Sequence, residues 1–255
     1  MQKIIVGNLK MNILTIAERD RYFEAFKKEL KAAKLANASI VLCAAAVHLE
    51  SFAKKLKTKA VAIGAQNIFW EEKGSYTGEI SAAMVANLGA EYVIIGHSER
   101  RRYFGETSVE ANLKIKAALK NKLTPIYCVG ETKEEKDNGM AAETIIEQVT
   151  EGFAGLSDTK AASVIIAYEP VWAVGSDALP TSNEILEIKI LIKKIFADMY
   201  RLSVAEKIRV LYGGSVKAEA VAQVCLEPGL DGVLVGRESL VPRDFFKIVK
   251  VIDNS

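Results

Sequence analysis

The 255-residue sequence predicts an α/β protein in which one domain, residues 1–255, folds as a (β/α)8 barrel. Short β-branched runs alternate eight times with longer amphipathic segments. The short runs are apolar at nearly every position, as in parallel strands that are covered by protein on both faces. No Gly/Pro/Ser-rich linker or shift in composition marks a second domain. Eight such units in about 250 residues match the size and rhythm of a barrel.

The predicted elements alternate along the whole chain. In order, the strands are 3–7 (KIIVG), 39–43 (SIVLC), 60–65 (AVAIGA), 91–96 (EYVIIG), 124–129 (TPIYCV), 163–168 (SVIIAY), 207–212 (KIRVLY) and 231–235 (DGVLV). Helical periodicity predicts helices at 16–35, 46–57, 80–88, 107–121, 132–154, 181–201, 217–225 and 242–252. The competing architecture is a doubly wound open sheet, whose first strand usually leads into a Gly-rich G-x-G-x-x-G turn. Here the first strand leads into GNLKMN, which favours the barrel.

Composition and charge limit the classes of partner. The formal net charge is +2, far from the basic excess of a nucleic-acid binder. No run reaches the ~18 apolar residues of a membrane span. Three cysteines without C-x-x-C spacing argue against a disulfide framework or a zinc site. The chain starts with a strand-like run rather than a signal peptide. We therefore expect a cytoplasmic protein that binds no metal, nucleic acid or membrane.

In a barrel, the chemistry lies where strands end and the following loops begin. The polar residues predicted at those ends are Asn8, Lys10, Gln66, Asn67, His97, Ser98, Glu99, Glu169, YGGS at 212–215 and GRES at 236–239. The second strand ends in CAAAV, which offers no such group. We expect the side chains of these residues to face one common site.

Glu169 and His97 are the candidate acid–base groups. Glu169 ends an apolar strand, and a carboxylate that loses water when a loop closes becomes a stronger base. A salt-bridged glutamate at a strand end is the alternative. His97 is followed by SERR, the start of a short helix whose dipole favours the neutral imidazole. The alternative is a structural histidine, which is also our interpretation of His48.

YGGSV and VLVGRES are candidate phosphate loops. Glycines let the backbone approach a ligand closely, and free N–H groups at a helix start bind anions. A tight turn is the alternative for either loop alone. Two such loops after the last two strands favour phosphate, because (β/α)8 enzymes often hold phosphate there. Lys10 is placed to neutralise a phosphate or an oxyanion, although a single loop lysine is usually solvated.

Seven motifs in order resemble the triosephosphate isomerase family: GNLKMN, AQN followed by GSYTGEIS, IGHSERR, YCVGE, AYEPVWAVG, YGGSV and DGVLVG. The resemblance runs from Gly7 to about Leu240. It implies a TIM barrel and an intramolecular aldose–ketose isomerase that interconverts dihydroxyacetone phosphate and D-glyceraldehyde 3-phosphate through an enediolate. That reaction belongs to glycolysis and gluconeogenesis.

The resemblance also implies roles for the catalytic residues. Glu169 would be the base, and neutral His97 would polarise the carbonyl and move protons between the enediolate oxygens. Lys10 and Asn8 would stabilise the developing negative charge, with Ser98 and Glu99 as supporting residues. This use of a carboxylate base and a neutral histidine beneath a closing lid is already established for the family. The resemblance implies no metal or organic cofactor.

Substrate and partner contacts follow from the same resemblance. The substrate phosphate would meet backbone N–H groups of Gly175, Ser215, Gly236 and Arg237, and residues 170–180 would form the mobile lid. Members are typically homodimers, so Thr77 in GSYTGE would approach Asn8 and Lys10 of the partner subunit.

The chain departs from the family pattern at four places. In the lid, Asp177 replaces a glycine, Ala178 replaces a lysine, and Pro180 restricts the backbone near its end. Arg237 replaces the second glycine of a phosphate loop, which strains the chain if that position needs a positive φ. CAAA lacks a usual proline pair, so the second helix should start less sharply. GNLKMN has leucine where an aromatic residue is frequent, which affects packing.

Two other functions remain open from the sequence. A Schiff-base aldolase would need a lysine on an inner strand, whereas Lys10 is the only lysine at a strand end. A catalytically weakened homologue, retained for binding, is kept open by Asp177 and Arg237. Asn8, Lys10, His97 and Glu169 argue against it. At the end of the lid, TSNE has the spacing of a capping box between Thr181 and Glu184, which predicts the start of the next helix there.

Overall fold

Eight parallel strands close into a barrel in the computed structural model, which describes residues 2–176 and 178–255. Each strand pairs with the next in sequence, and β8 pairs with β1, so the barrel prediction is confirmed over the open sheet. The strands are β1 Lys3–Asn8, β2 Ala38–Ala44, β3 Val61–Ala65, β4 Tyr92–Ile95, β5 Thr124–Val129, β6 Ile165–Tyr168, β7 Arg209–Tyr212 and β8 Gly232–Val235.

Helices pack around the outside of this barrel. They are α1 Ile16–Ala33, α2 Ala46–Leu56, α3 Ala82–Asn87, α4 Ser98–Phe104, α5 Ser108–Lys120, α6 Lys133–Asp137, α7 Ala141–Gly152, α8 Asp158–Ala161, α9 Ser182–Met199, α10 Leu202–Lys207 and α11 Pro242–Asp253. Short 3-10 turns cover Val171–Ala173, Ala218–Ala220 and Arg237–Leu240.

Two helix predictions were wrong in detail. The segment 132–154 is not one helix, because Gly139 takes a left-handed φ of 72° that separates α6 from α7. The segment 217–225 holds no α-helix: a 3-10 turn is followed by a π-helical stretch at Ala222–Leu226. A hydrophobic period near 3.6 does not distinguish these hydrogen-bond patterns, so the sequence could not separate them.

The apolar strands are explained by two separate cores. Ile4 and Val6 of β1 belong to the cluster inside the barrel, whereas Ile5 between them belongs to the larger cluster beneath the helices. This alternation follows from the two-residue period of a strand. Because both faces of every strand are covered, the polar and charged residues of the strands are confined to positions near their ends, such as Lys3, Ser39 and Arg209.

Four helices begin with a threonine that forms a capping box with a glutamate three residues later. These helices are α1, α5, α6 and α9, capped by Thr15, Thr107, Thr132 and Thr181. The prediction for Thr181 and Glu184 is therefore confirmed. In contrast, α2 begins at Ala45 without a side-chain cap, as expected from the missing prolines.

None of the helices in residues 2–176 and 178–255 has both the length and the apolar character needed to cross a membrane. Over the same residues, no group of three or more His, Cys, Asp or Glu side chains is arranged to hold a metal ion.

Candidate active site

The closed barrel gathers most of the predicted strand-end residues around one small cavity of about 110 Å³, whereas Gln66 and Asn67 line a neighbouring groove. Its walls include Asn8, Lys10, His97, Glu169, Gly175, Ser215, Gly236 and Arg237. These residues come from the ends of five strands, β1, β4, β6, β7 and β8, and from the lid. Ser98 lies behind the cavity and contacts Glu169, and Glu99 pairs with Lys10. Thr77 is elsewhere, on an exposed loop.

Glu169 presents one uncommitted carboxylate oxygen to this cavity. The residue is only 2% exposed, and its Oε2 accepts a hydrogen bond of 3.1 Å from the backbone N–H of Ser98. Oε1 lies 3.1 Å from Nε2 of His97, but the two groups are not aligned as a hydrogen bond, and Oε1 is buried without a partner. A buried carboxylate oxygen with a free lone pair is placed to accept a proton.

The His97 ring is oriented by the helix that it precedes. His97 is the N-cap of α4, and its Nδ1 accepts a hydrogen bond of 3.2 Å from the backbone N–H of Glu99. Because Nδ1 acts as an acceptor, the proton of the neutral ring lies on Nε2. Nε2, on the other side of the ring, faces Oε1 of Glu169.

The backbone of Lys10 is held in an unusual conformation by one local and one long-range hydrogen bond. Its φ is +51°, in the left-handed region that costs free energy for a residue with a side chain. Its N–H donates to Oδ1 of Asn8 over 3.1 Å, and its carbonyl accepts from Nε2 of Gln66 over 3.0 Å. These bonds turn the ammonium into the cavity, where it pairs with Oε1 of Glu99 at 2.5 Å. Gln66, which follows β3, thus supports the Lys10 backbone, a role that the sequence did not predict.

Two loop glycines, Gly213 and Gly236, leave space for the side chains of the candidate catalytic residues Glu169 and Lys10. A Cβ on Gly213 would lie 2.6 Å from Cγ of Glu169, and one on Gly236 would lie 3.3 Å from Cε of Lys10. The backbone at Arg237 is not strained, because the non-glycine residues with positive φ in the described chain are Lys10, Lys34 and Lys122. No described residue forms an ion pair with Arg237, whose exposed guanidinium borders the cavity.

The lid rests on the loop that follows β7. The N–H of Gly175 donates to Oγ of Ser215 over 3.1 Å, and that hydroxyl donates to the carbonyl of Ala173 over 2.9 Å. Ser215 therefore connects the lid to the candidate phosphate loop. At the far end, the carbonyl of Pro180 accepts from Nε2 of Gln223 over 2.8 Å. Asp177 lies outside the described residues.

Glu131, in the motif YCVGE after β5, contacts the lid, although the sequence predicted no role for it. Its Oε1 accepts from Nε1 of Trp172 over 2.7 Å and from the hydroxyl of Tyr168 over 3.1 Å. Burial raises the pKa of the Glu131 carboxyl, because its hydrogen-bond donors are neutral and only partly offset the lost hydration. A carboxylate that directly follows an apolar strand, as Glu169 does, was the available signal.

Glu106 is a buried carboxylate that binds the backbone just before His97, a role that no pattern in the sequence predicted. Its carboxylate accepts from the backbone N–H of Gly96 over 2.9 Å, from Nζ of Lys114 over 2.6 Å and from Nε of Arg100. Burial opposes ionisation, but the Lys114 ammonium and Arg100 guanidinium outweigh it, so the pKa of Glu106 is lowered. Burial also lowers the pKa of Lys114, so this ammonium is the less well compensated partner.

Comparison with known proteins agrees with this geometry. A family model described as triosephosphate isomerase matches residues 3–252. The triosephosphate isomerase of Dictyoglomus thermophilum is 44% identical over 249 residues, covering 98% of this chain and 99% of that protein. That of Endomicrobium trichonymphae is 44% identical, covering 97% of each. That of Clostridium perfringens (strain SM101 / Type A) is 43% identical, covering 96% and 98% respectively.

We predict that Glu106→Gln destabilises the fold in a pH-dependent way. The variant leaves Lys114 buried without its counter-charge, which costs about 3–5 kcal/mol in the free energy of unfolding at pH 7. Because the folded pKa of Glu106 lies below its unfolded value, its contribution is present above that value and is lost as the pH falls through the folded pKa.

Urea unfolding of both proteins at several pH values measures this difference. The gap between wild type and Glu106→Gln should be largest near pH 7 and shrink below about pH 4.3. Glu24→Gln is the control, since the exposed Glu24–Lys27 pair should contribute less than about 1 kcal/mol. A gap that does not change with pH would show that the Glu106 charge contributes nothing.

Proposed function

The chain belongs to the triosephosphate isomerase family, and we propose that the cavity at the strand ends is its active site, with Glu169 as the catalytic base. The protein interconverts dihydroxyacetone phosphate and D-glyceraldehyde 3-phosphate in glycolysis. The observation that carries the assignment of the base is the buried, unpartnered Oε1 of Glu169, which lies 3.1 Å from Nε2 of His97.

Glu169 moves the proton between the two substrate carbons. Its Oε1 removes a proton from C1 of dihydroxyacetone phosphate, the C–H electron pair forms a C1–C2 double bond, and the carbonyl oxygen takes up the negative charge. The protonated carboxyl then delivers the proton to C2. As C2 is protonated, the C1 oxygen becomes the aldehyde oxygen of glyceraldehyde 3-phosphate.

His97 and Lys10 stabilise the charge that appears on the substrate oxygens. Nε2–H of His97 donates to the oxygen that becomes negative and shuttles protons between the two oxygens of the enediolate. The Lys10 ammonium adds a positive charge in the same cavity, and Asn8 supports the Lys10 backbone. Both groups are held by backbone contacts before substrate binds, so little reorganisation accompanies the reaction.

The substrate phosphate binds at the opposite side of the cavity. The residues proposed to hold it are Gly175, Ser215, Gly236 and Arg237, through backbone N–H groups of the lid and of the loops after β7 and β8. In the described structure the Gly175 N–H donates to Ser215 Oγ, so phosphate binding exchanges that bond for one to the ligand. Closure of the lid excludes water, which otherwise promotes loss of phosphate from the enediolate.

A homodimer is the proposed assembly. Beside the catalytic cavity lies a groove of about 500 Å³ whose walls include Lys10 and His97 together with Met11 and Phe104. Met11 is 86% exposed and Phe104 is 71% exposed, and exposed apolar surface of this kind favours a protein–protein contact. The loop 71–79 is exposed at every position. We propose that this loop of one protomer, with Thr77 at its tip, fills the groove of the other.

Removal of the Glu169 carboxylate should abolish nearly all turnover. Glu169→Ala deletes the proposed base, so kcat/KM should fall by about 10²- to 10⁴-fold, the usual contribution of a general base. A coupled assay with glyceraldehyde 3-phosphate measures the loss. Glu143→Ala, at an exposed position on α7, should retain wild-type activity. Equal activity in wild type and Glu169→Ala would refute the assignment.

Arg237 should strengthen phosphate binding at low salt. Loss of one charge near the ligand, in Arg237→Gly or Arg237→Met, should weaken inhibition by inorganic phosphate roughly fivefold. The difference should largely disappear in 1 M salt, where charges are screened beyond about 3 Å. Arg237→Met preserves the Cβ and so separates the charge from the backbone effect. Unchanged inhibition at both salt concentrations would exclude a role for the guanidinium.

The dimer proposal predicts that Thr77→Arg separates the protomers and reduces activity. The added bulk and positive charge would not fit a groove whose walls already carry Lys10 and Arg100. The mass measured by light scattering should therefore fall from twice the 27.8 kDa chain mass to one chain. Thr159→Arg, an exposed substitution on α8, should leave the mass unchanged. A wild-type protein that is a fully active monomer would contradict the proposal.

A further inference from the structure

One ammonium group touches both ends of the lid. Lys136 lies on α6, and its Nζ is 3.5 Å from the centroid of a Trp172 ring, in the first turn of the lid. The same Nζ is 3.0 Å from Oε1 of Glu184, in the first turn of the helix that follows the lid. Twelve positions of sequence separate Trp172 from Glu184, yet both meet the same cation.

We propose that Lys136 is a positioning residue that joins the two ends of the lid and keeps the lid seated over the active site. The proposal rests on the proposed function, in which closure of this lid protects the enediolate. Lys136 contacts neither the cavity nor its catalytic groups. Its influence on the reaction is therefore exerted through Trp172 and Glu184.

The entry to the lid is held from two directions. Nε1–H of Trp172 donates to Oε1 of Glu131 over 2.7 Å, while the face of the ring receives the Lys136 ammonium. A ring held at its edge by a carboxylate and on its face by a cation has little freedom to rotate. The next residue, Ala173, accepts the hydrogen bond from Ser215, so the orientation of Trp172 sets where the lid meets the phosphate loop.

The exit from the lid is held through the capping box of α9. Oε2 of Glu184 accepts from both the backbone N–H and the hydroxyl of Thr181, over 2.7 Å and 3.0 Å, while Oε1 pairs with Lys136. One oxygen of Glu184 thus completes the N-terminal cap of α9, where the lid ends, and the other binds the Lys136 ammonium. Removal of the Lys136 side chain would leave this cap intact, but Glu184 and Trp172 would no longer be joined through a shared cation.

The expected effect is moderate because the contacts are partly solvated. The side chains of Lys136 and Glu184 are 35% and 45% exposed. One cation–π contact and one half-exposed ion pair together should change the population of the seated lid about three- to tenfold. Lys133 on the same helix offers a matched control, since its Nζ pairs with Asp137 at 2.9 Å and touches neither end of the lid.

The kinetic test compares Lys136→Met, Lys136→Arg and Lys133→Met with wild type. Lys136→Met should lower kcat/KM for glyceraldehyde 3-phosphate about three- to tenfold. It should also raise the inorganic phosphate released per turnover, because a poorly seated lid lets the enediolate expel its phosphate. Lys136→Arg should restore most of both values, since a guanidinium also binds carboxylates and aromatic faces. Lys133→Met should match wild type.

A second measurement reports on the lid without requiring turnover. The chain has two tryptophans, so the indole N–H resonance of Trp172 can be assigned by substitution of Trp70. That resonance should shift in Lys136→Met and stay unchanged in Lys133→Met.

The outcomes separate the inference from the proposed function. The inference is overturned if Lys136→Met matches Lys133→Met, if the indole resonance shifts without added phosphate release, or if Lys136→Arg fails to restore the kinetics. A wild-type protein without turnover would refute the proposed function instead, and the indole resonance would still test the contact.

Discussion

Closure of a parallel sheet is the constraint on which the rest of this structure depends. Parallel strands require a crossover on the outside of the sheet, and eight such units joined in a ring place every strand's carboxyl end on one rim. Covering both faces of the strands then excludes polar side chains from their middles. The groups that could perform chemistry are thereby left at the rim, where Asn8, His97 and Glu169 converge.

At that rim, the state of each charged group follows from its neighbours rather than from its residue type. Glu106 and Glu131 are both buried carboxylates, yet the pKa of Glu106 is lowered and that of Glu131 is raised. Glu106 faces an ammonium and a guanidinium, whereas neutral donors bind Glu131. Glu169, like Glu131, has one buried oxygen without a hydrogen-bond partner, but that oxygen of Glu169 lies 3.1 Å from Nε2 of His97 at the cavity. The same type of side chain thus serves as a structural counter-ion at Glu106, a contact for the lid at Glu131 and the proposed base at Glu169.

The lid is fastened at three places of different chemistry. Ser215 binds its tip through neutral hydrogen bonds, Glu131 binds the indole of Trp172, and Lys136 connects Trp172 to the helix after the lid. Neutral bonds to Ser215 can be exchanged for bonds to phosphate at little cost, whereas Trp172 and Lys136 make their contacts outside the cavity. This division suits a loop that must open for substrate and close for chemistry.

The sequence by itself determined the fold class, the strand positions and most of the cavity, because these depend on local periodicity and on the rule that barrel sites lie at strand ends. It also located the cap at Thr181. Only the tertiary structure decided the left-handed backbone of Lys10, the network of Glu106 and the contacts of Lys136, because each depends on how separate helices, strands and loops pack together. No local pattern encodes which distant side chains will share a low-dielectric site, so packing assigns their roles.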